Sequence, residues 1–383
     1  MFTVMFWSSA RQRGCVGLLR CWSRTVSSRT VTNVRTFSIS AAAKSQTHDK
    51  QPLRQWGLVV SPFTTVHAQV GCSISIAPLD PHAFPQADRA FISVHSTDNG
   101  QEKVGLDHLN VHYDEQSKEL LISAEKVSRS LLIDLTAPIK SNIFITSQGK
   151  GNVEVKNMEC DFCKVQTETG NCLLNSVKAH QVEVQSNGGN VIGVGTIHGN
   201  VDISTRGESV VEVKKLQGTK MNVSTEHGPL KVKAIYAECS CVSTCSGKVE
   251  LGHVHGNATV KNISGDTVID GSNSFLKISS NSGGIDVYVG DGGSAEVHSQ
   301  EGVVCVRIPT SLRAGVELSG MSVEISPEVV LQGVEHITAH GQTTVTGNMN
   351  VESPVNHWVK AQSDRGPVRL KTQSWLESLK LGS

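Results

Sequence analysis

The 383-residue chain is long enough to bury a large core, and its 35 lysine and arginine residues balance its 35 aspartate and glutamate residues. Seven of the basic residues fall within residues 1–45, where no acidic residue occurs, so the rest of the chain carries 28 basic against 35 acidic residues. That negative balance disfavours a general binder of nucleic acid or anionic membranes. Aromatic residues make up 4% of the chain and glycine contributes 35 residues, which favours a thin repetitive core over a globular one.

Residues 1–45 have the composition of a mitochondrial presequence. They are rich in serine, threonine and arginine, and they lack the continuous apolar centre of a secretory signal. The segment 35–40, RTFSIS, is similar to a matrix cleavage pattern, so we expect a mature chain that begins near Ser45 and lies in the mitochondrial matrix. The alternative is a merely disordered basic tail. No later segment contains the roughly 20 apolar residues that a membrane-spanning helix needs.

Residues 46–130 are predicted to form an N-terminal β cap. A proline-containing loop lies among their strand-like runs, and the turn 114–117 predicts a hairpin between the last two. The runs are 58–60, 73–76, 91–94, 109–113 and 120–123.

Residues 131–306 carry an internal repeat, in which a glycine followed by alternating aliphatic residues returns every 18 to 21 residues. A second short strand lies midway through each unit, as at Val182 and Val184. One unit of about 19 residues buries too few aliphatic side chains to fold alone, whereas stacked units share one continuous core. The repeat therefore predicts an all-β, single-stranded β-solenoid (β-helix) about 40 Å long. Its glycines are Gly151, Gly170, Gly189, Gly207, Gly228, Gly247, Gly265, Gly284 and Gly302.

Residues 307–383 are predicted to form irregular rungs and a C-terminal cap. The repeat pattern returns weakly at 320–325 and 366–370. Trp375, Leu376 and Leu379 have helical spacing, so residues 374–381 are predicted to form a short helix that covers the last rung. Solenoids need such caps because the end strands would otherwise expose unpaired edges.

These rungs, together with several short segments, carry a resemblance to a known family. The segments include VSTEHG at 223–228, GHVHGN at 252–257 and IDVYV at 285–289. Over residues 55–383 the chain resembles the putative-adhesin domain of unknown function, a repetitive β family widespread in bacteria, and in particular a vertebrate mitochondrial member of it. The resemblance implies a repetitive β fold, and it supplies no catalytic residue to transfer.

The cysteines allow three interpretations: a zinc site, a redox pair or buried structural thiols. Cys160 and Cys163 form a C-x-x-C half-site, but the chain contains no second C-x-x-C to complete a zinc site. Cys239 and Cys241, followed by Cys245, fit inward positions of a mid-unit strand, where a thiol acts as a small apolar filler. We therefore favour structural thiols.

Histidines and aspartates give two further candidate sites. His253 and His255 share one strand face, but two ligands rarely hold a metal selectively, so a solvated pair at a corner is favoured. Four aspartates on neighbouring units could assemble a glycosidase-like pair of carboxylates, although aspartate at glycine-rich corners is also what turns alone require. They are Asp266, Asp270, Asp286 and Asp291.

Three glycosylation sequons, at Asn222, Asn257 and Asn262, discriminate between compartments because they would be used in a secreted protein and remain bare in the matrix.

Taken together, the sequence assigns no catalytic, cofactor-binding or metal-binding residue and no cofactor. The leading hypothesis is a non-catalytic, monomeric mitochondrial β-solenoid that binds an unknown protein partner through its polar faces. The alternatives are a carbohydrate-active hydrolase or lyase that uses the aspartate cluster, and a secreted adhesin-like protein.

Overall fold

The computed structural model describes residues 51–97, 106–124, 130–350 and 357–374, and within these the protein is almost entirely β. A single 3-10 turn occurs there, at Leu106–His108. No helix among the described residues is long and apolar enough to cross a membrane. The strands are β1 (Arg54–Val59), β2 (Thr65–Val70), β3 (Ser73–Pro78), β4 (Arg89–Ser96), β5 (Asn110–Asp114), β6 (Glu119–Ala124), β7 (Leu131–Ala137), β8 (Asn142–Ser147), β9 (Val153–Lys156), β10 (Glu159–Thr167), β11 (Cys172–Asn175), β12 (Lys178–Ser186), β13 (Val191–Thr205), β14 (Val211–Thr225), β15 (Leu230–Thr244), β16 (Val249–Asn262), β17 (Thr267–Ser272), β18 (Phe275–Ser280), β19 (Ile285–Val289), β20 (Ser294–Ser299), β21 (Val304–Ile308), β22 (Ala314–Gly320), β23 (Val323–Ile325), β24 (Leu331–Ala339), β25 (Gln342–Met349), β26 (Trp358–Ser363) and β27 (Val368–Thr372).

The strands stack in two columns, and each rung of the solenoid contributes one strand to each column. Column 1 runs β1, β4, β7, β3, β9, β11, β13, β14, β15, β16, β17, β19, β21, β27, β23. Column 2 runs β5, β6, β2, β8, β10, β12, β13, β14, β15, β16, β18, β20, β26, β22, β25, β24. Strands β13 to β16 are long enough to serve both columns. The predicted solenoid is confirmed.

Alternation along each strand explains the core. Val182 and Val184 of β12 are buried while Glu183 between them is not, because successive side chains of a strand point to opposite faces. The inward residues of both columns belong to one hydrophobic cluster. The core is aliphatic, and its large fully buried side chains are isoleucine, leucine and methionine.

Pairing is parallel through the middle of the solenoid and antiparallel only towards its two ends, among the described strands. The antiparallel pairs are β1 with β4, β4 with β7, β5 with β6, β22 with β25, and β24 with β25. The β5–β6 pair confirms the hairpin predicted around residues 114–117. The predicted presequence at 1–45 and all but the first residue of the helix predicted at 374–381 lie outside the described residues.

Two rungs lie out of chain order, which the repeat pattern does not predict. The rung β2–β3 stacks between β6–β7 and β8–β9. The rung β26–β27 stacks between β20–β21 and β22–β23. A strand-forming sequence gives the pattern of its own rung but contains no information on which neighbour it will pair with.

The repeated glycine stands at a corner where consecutive rungs approach each other closely. A Cβ on Gly189 would lie 1.9 Å from the carbonyl oxygen of Gly170, and a Cβ on Gly170 would lie 1.8 Å from that of Gly151. The glycine is therefore required by contact between rungs. At two rungs the corner residue is not the glycine predicted from the repeat. Ser209 stands at the corner in place of Gly207, and Gly283 stands there in place of Gly284.

A buried polar residue precedes this corner in ten rungs, a feature that the sequence analysis missed. The Ser186 hydroxyl donates to the Gly189 carbonyl oxygen at 2.7 Å and accepts from the Gly189 amide at 2.9 Å. At this rung the corner satisfies its own backbone groups inside the core, whereas the hydroxyl groups of Thr167, Thr205 and Thr244 have no hydrogen-bond partner among the described residues. The row consists of Ser147, Thr167, Ser186, Thr205, Thr225, Thr244, Asn262, Ser280, Ser299 and Ser363.

Candidate functional site

The four aspartates of the hydrolase hypothesis lie near one another in the stack, and two of them share a buried arginine. Arg307 on β21 places Nε 2.5 Å from Oδ1 of Asp286 and Nη2 3.8 Å from Oδ1 of Asp270. Its Nη2 also donates to the carbonyl oxygen of Ile269, and its Nη1 donates to the side chain of Gln373. The guanidinium therefore joins four strands or strand ends.

The electrostatics of this cluster follow from burial. Desolvation raises the pKa of the Asp270 carboxyl, and the positive charge of Arg307 opposes that effect. The other two carboxylates accept hydrogen bonds from neighbouring turns. Asp266 accepts from the Gly284 amide at 2.9 Å, and Asp291 accepts from the Ser311 hydroxyl at 2.6 Å. All four carboxylates thus hold parts of the stack together.

Most of the described cysteines fall into a buried or an exposed group, and Cys305 is intermediate. Cys160 and Cys163 are buried, as expected for structural thiols, and so are Cys72 and Cys172. Burial raises the pKa of Cys160 to about 12, which keeps the thiol protonated and unreactive. The C-x-x-C pair thus lies in the core.

The inward placement predicted for Cys239 and Cys241 is wrong. Both are exposed, because Ser240 and Val242 occupy the inward positions of β15 and the cysteines take the alternate positions. Cys245 is also exposed. A one-residue error in register moves every side chain of a strand to the other face, and a run of small residues gives no hydrophobic contrast to fix that register.

The two histidines lie on one face of β16, as predicted. His255 stacks on Tyr236 of the preceding rung, with ring centroids 4.5 Å apart and planes 7° apart, and Lys215 lies over the Tyr236 ring. Within the described ranges, no group of three or more histidine, cysteine, aspartate or glutamate side chains is placed to hold a metal ion. His255 thus takes part in stacking along the surface.

The three sequons are not equivalent. Asn257 is exposed, whereas Asn262 is 2% exposed and belongs to the buried polar row. Its Nδ2 donates to the carbonyl oxygens of Gly247 and Gly265. A glycan on Asn262 is incompatible with this fold. Contrary to the prediction, the sequon at Asn262 therefore does not discriminate between compartments.

A groove lies on the outer face of column 2, over strands β5, β6, β2 and β8, with a volume of about 610 Å³. His112, Leu121, His67 and Phe144 stand opposite one another on these four strands and form a continuous row. The His67 and Phe144 rings stack with centroids 5.0 Å apart and planes 17° apart. Sequence reasoning missed the groove, because its residues come from three strands of the predicted cap and from β8, which lies in the predicted solenoid.

The groove combines a floor of histidine, leucine and phenylalanine side chains with polar edges. Leu121 at its centre is 40% exposed. Amide and hydroxyl groups form a second row beside the rings, from Asn110, Ser123, Gln69 and Thr146. The only lining carboxylate is Glu119, with Oε1 3.7 Å from Nε2 of His67. Such a surface can receive an apolar or aromatic group whose polar edges need hydrogen-bond partners.

Part of the chain matches a known protein family. The repetitive part of the chain, from β13 to β27, gives the match. Residues 192–371 match the Toastrack family, DUF4097. The Toastrack segment contains the Arg307 cluster and the exposed cysteines, whereas the groove lies on strands that precede it.

Several solved bacterial structures are similar to the chain. A "putative adhesin" from Parabacteroides merdae is 12% identical, with a TM-score of 0.37, over 66% of this chain and 95% of that one. A "putative adhesin" from Parabacteroides distasonis is 10% identical, with a TM-score of 0.34, over 84% and 96%. A "putative lipid binding protein" from P. distasonis is 11% identical, with a TM-score of 0.33, over 82% and 96%. We draw no function from these similarities.

Proposed function

We propose that this protein is a non-catalytic interaction module of the mitochondrial matrix, a mitochondrial member of the Toastrack family, which binds a protein partner in the groove of column 2. The observation that carries the proposal is the row of His112, Leu121, His67 and Phe144 across four strands, which leaves Leu121 open to solvent among three planar rings. Aromatic groups in contact with apolar pockets supply most of the energy of protein interfaces.

The state of the carboxylates supports a binding role over hydrolysis. A glycosidase needs one acid to donate a proton and a second carboxylate to act as base or nucleophile. Asp270 and Asp286 instead share the charge of Arg307, a residue whose side chain is 9% exposed.

Site-specific photo-crosslinking tests the groove. A benzophenone amino acid replaces Leu121 in the groove and, as the matched control, Ile263, which is 52% exposed on another part of the solenoid. We expect a discrete adduct with one protein from the Leu121 position, absent from the Ile263 position and lost when Phe144→Ser removes the ring stack. Equal adducts from both positions, or an adduct that persists in Phe144→Ser, would contradict binding in the groove.

The matrix location is tested separately. We expect the full chain to enter isolated mitochondria and to acquire a new N-terminus near Ser45, and a chain without residues 1–45 to remain outside. The readouts are protease protection and mass spectrometry of the N-terminal peptide. Entry into the secretory pathway, with a glycan on Asn257, would instead support the secreted adhesin-like alternative.

A further inference from the structure

The rung β26–β27 fills a slot between parts of the chain that precede it in sequence. After β21 the chain passes over one rung position, forms β22 and β23, makes the β24–β25 hairpin, and then returns to place β26 and β27 in the position left open. Both strands of this rung are parallel to the strands on each side of them. The rung therefore has complete β-sheet partners on two walls, β20–β21 and β22–β23.

The slot matches the inward side chains of this rung. In column 2, Val359 lies between Ala295 and Val316, and in column 1, Leu370 lies between Val306 and Ile325. Val359 and Leu370 are each 0% exposed. An empty slot would therefore present two apolar walls and four unpaired strand edges, which is an unfavourable state in water.

Charged side chains of the rung β26–β27 form ion pairs with both walls. Towards β20–β21, Asp364 pairs with His298 at 3.1 Å and Arg365 pairs with Glu301 at 2.8 Å. Towards β22–β23, the pairs are Lys360 with Glu317 at 3.2 Å and Arg369 with Glu324 at 2.9 Å. Exposed ion pairs add little stability, but their positions fix direction and register and disfavour other sequences.

We propose that residues 357–374 form an exchangeable rung, and that the slot is a binding site for the same segment of a second copy of this chain. The second copy's segment has the same inward residues, the same four ion-pairing groups and the same direction, so it makes every contact that the chain's own segment makes. Trp358, the first residue of β26, stands opposite Gly315 of β22, and β22 pairs with β25 on its other side. The partner is thus a strand donor, and the product is a segment-exchanged pair of chains.

The experiment uses the full chain with a protease site in place of residues 351–356, cut after folding. A fluorescent synthetic peptide of residues 357–374 is added in excess, and its uptake is followed by anisotropy and size exclusion. Val359→Asp together with Leu370→Asp in the peptide alone tests the inward contacts, and Arg365→Ser, at a side chain 75% exposed, is the matched control.

We expect the wild-type peptide to replace the cut segment, the double-Asp peptide to bind at least about 100-fold more weakly, and the Arg365→Ser peptide to bind within about threefold of wild type. Native mass spectrometry of uncut chains of two isotopic masses should then show mixed dimers. A cut chain that retains its own segment against excess peptide, a cut chain that unfolds, or equal binding of the double-Asp peptide overturns the proposal.

Discussion

The glycine corner gives the sharpest test of the fold, through the substitution Gly189→Ala. The new Cβ would lie 1.9 Å from the Gly170 carbonyl oxygen and 2.5 Å from its carbonyl carbon, whereas ordinary contacts begin near 3.4 Å. The two rungs must separate locally by more than an ångström, against a normal strand spacing of about 4.8 Å. We expect the free energy of unfolding to fall by about 3 kcal/mol or more, since overpacking of a rigid backbone contact lies at the high end of such costs.

The neighbouring glycine is the matched control. A Cβ on Gly188 would meet the Glu168 carbonyl oxygen at 3.4 Å, and Gly188 is exposed, so Gly188→Ala should change the free energy of unfolding by less than about 1 kcal/mol. Urea unfolding of both variants, followed by circular dichroism, measures the difference. Similar losses for Gly188→Ala and Gly189→Ala would refute close approach of rungs as the reason for the glycine.

Three further predictions concern side chains. Arg307→Met should lower the free energy of unfolding by about 1–3 kcal/mol at pH 7, because it leaves the partly buried carboxylate of Asp270 without its cation and removes the hydrogen bonds of the guanidinium. Burial raises the pKa of Asp270, so the loss should grow as pH rises from 4 to 7 in thermal unfolding, and a pH-independent loss would contradict this. In native protein, iodoacetamide should modify Cys241 and spare Cys163 until urea is added, as measured by peptide mass spectrometry; equal labelling would place both thiols on the surface. If the chain is directed to a secretory pathway, glycopeptide analysis of folded protein should find glycan on Asn257, and glycan on folded Asn262 would contradict its burial.

The repeat and its alternation were enough to predict the solenoid, because both are local properties of sequence. Val-Glu-Val at 182–184 gives the face of a strand directly, through the contrast between apolar and charged neighbours. The same reasoning failed for Cys239 and Cys241, where Ser240 gives no such contrast. The corner glycines were recognised as a repeat, but their cause, contact with the previous rung, is visible only in the stacked structure.

The groove could not be predicted for a different reason. His67, Phe144 and His112 are far apart in sequence and meet because β2 inserts between β6 and β8. Pairing partners of strands depend on the competition among all strands, and a single sequence does not order that competition. The partial match to the Toastrack family does not help here either, since it begins at residue 192.

The two out-of-order rungs also determine when the molecule can finish folding. A solenoid in chain order can wind from one end as each repeat emerges, but here β2–β3 must wait for strands up to β9, and β22–β23 join the rungs before them in sequence through β26 and β27. Contacts between distant segments slow folding, because loop closure must precede the gain from pairing. The rung that joins the C-terminal end of the solenoid to the rest is therefore synthesised later than the strands on both sides of it, so this end stays open until residues 357–374 are available.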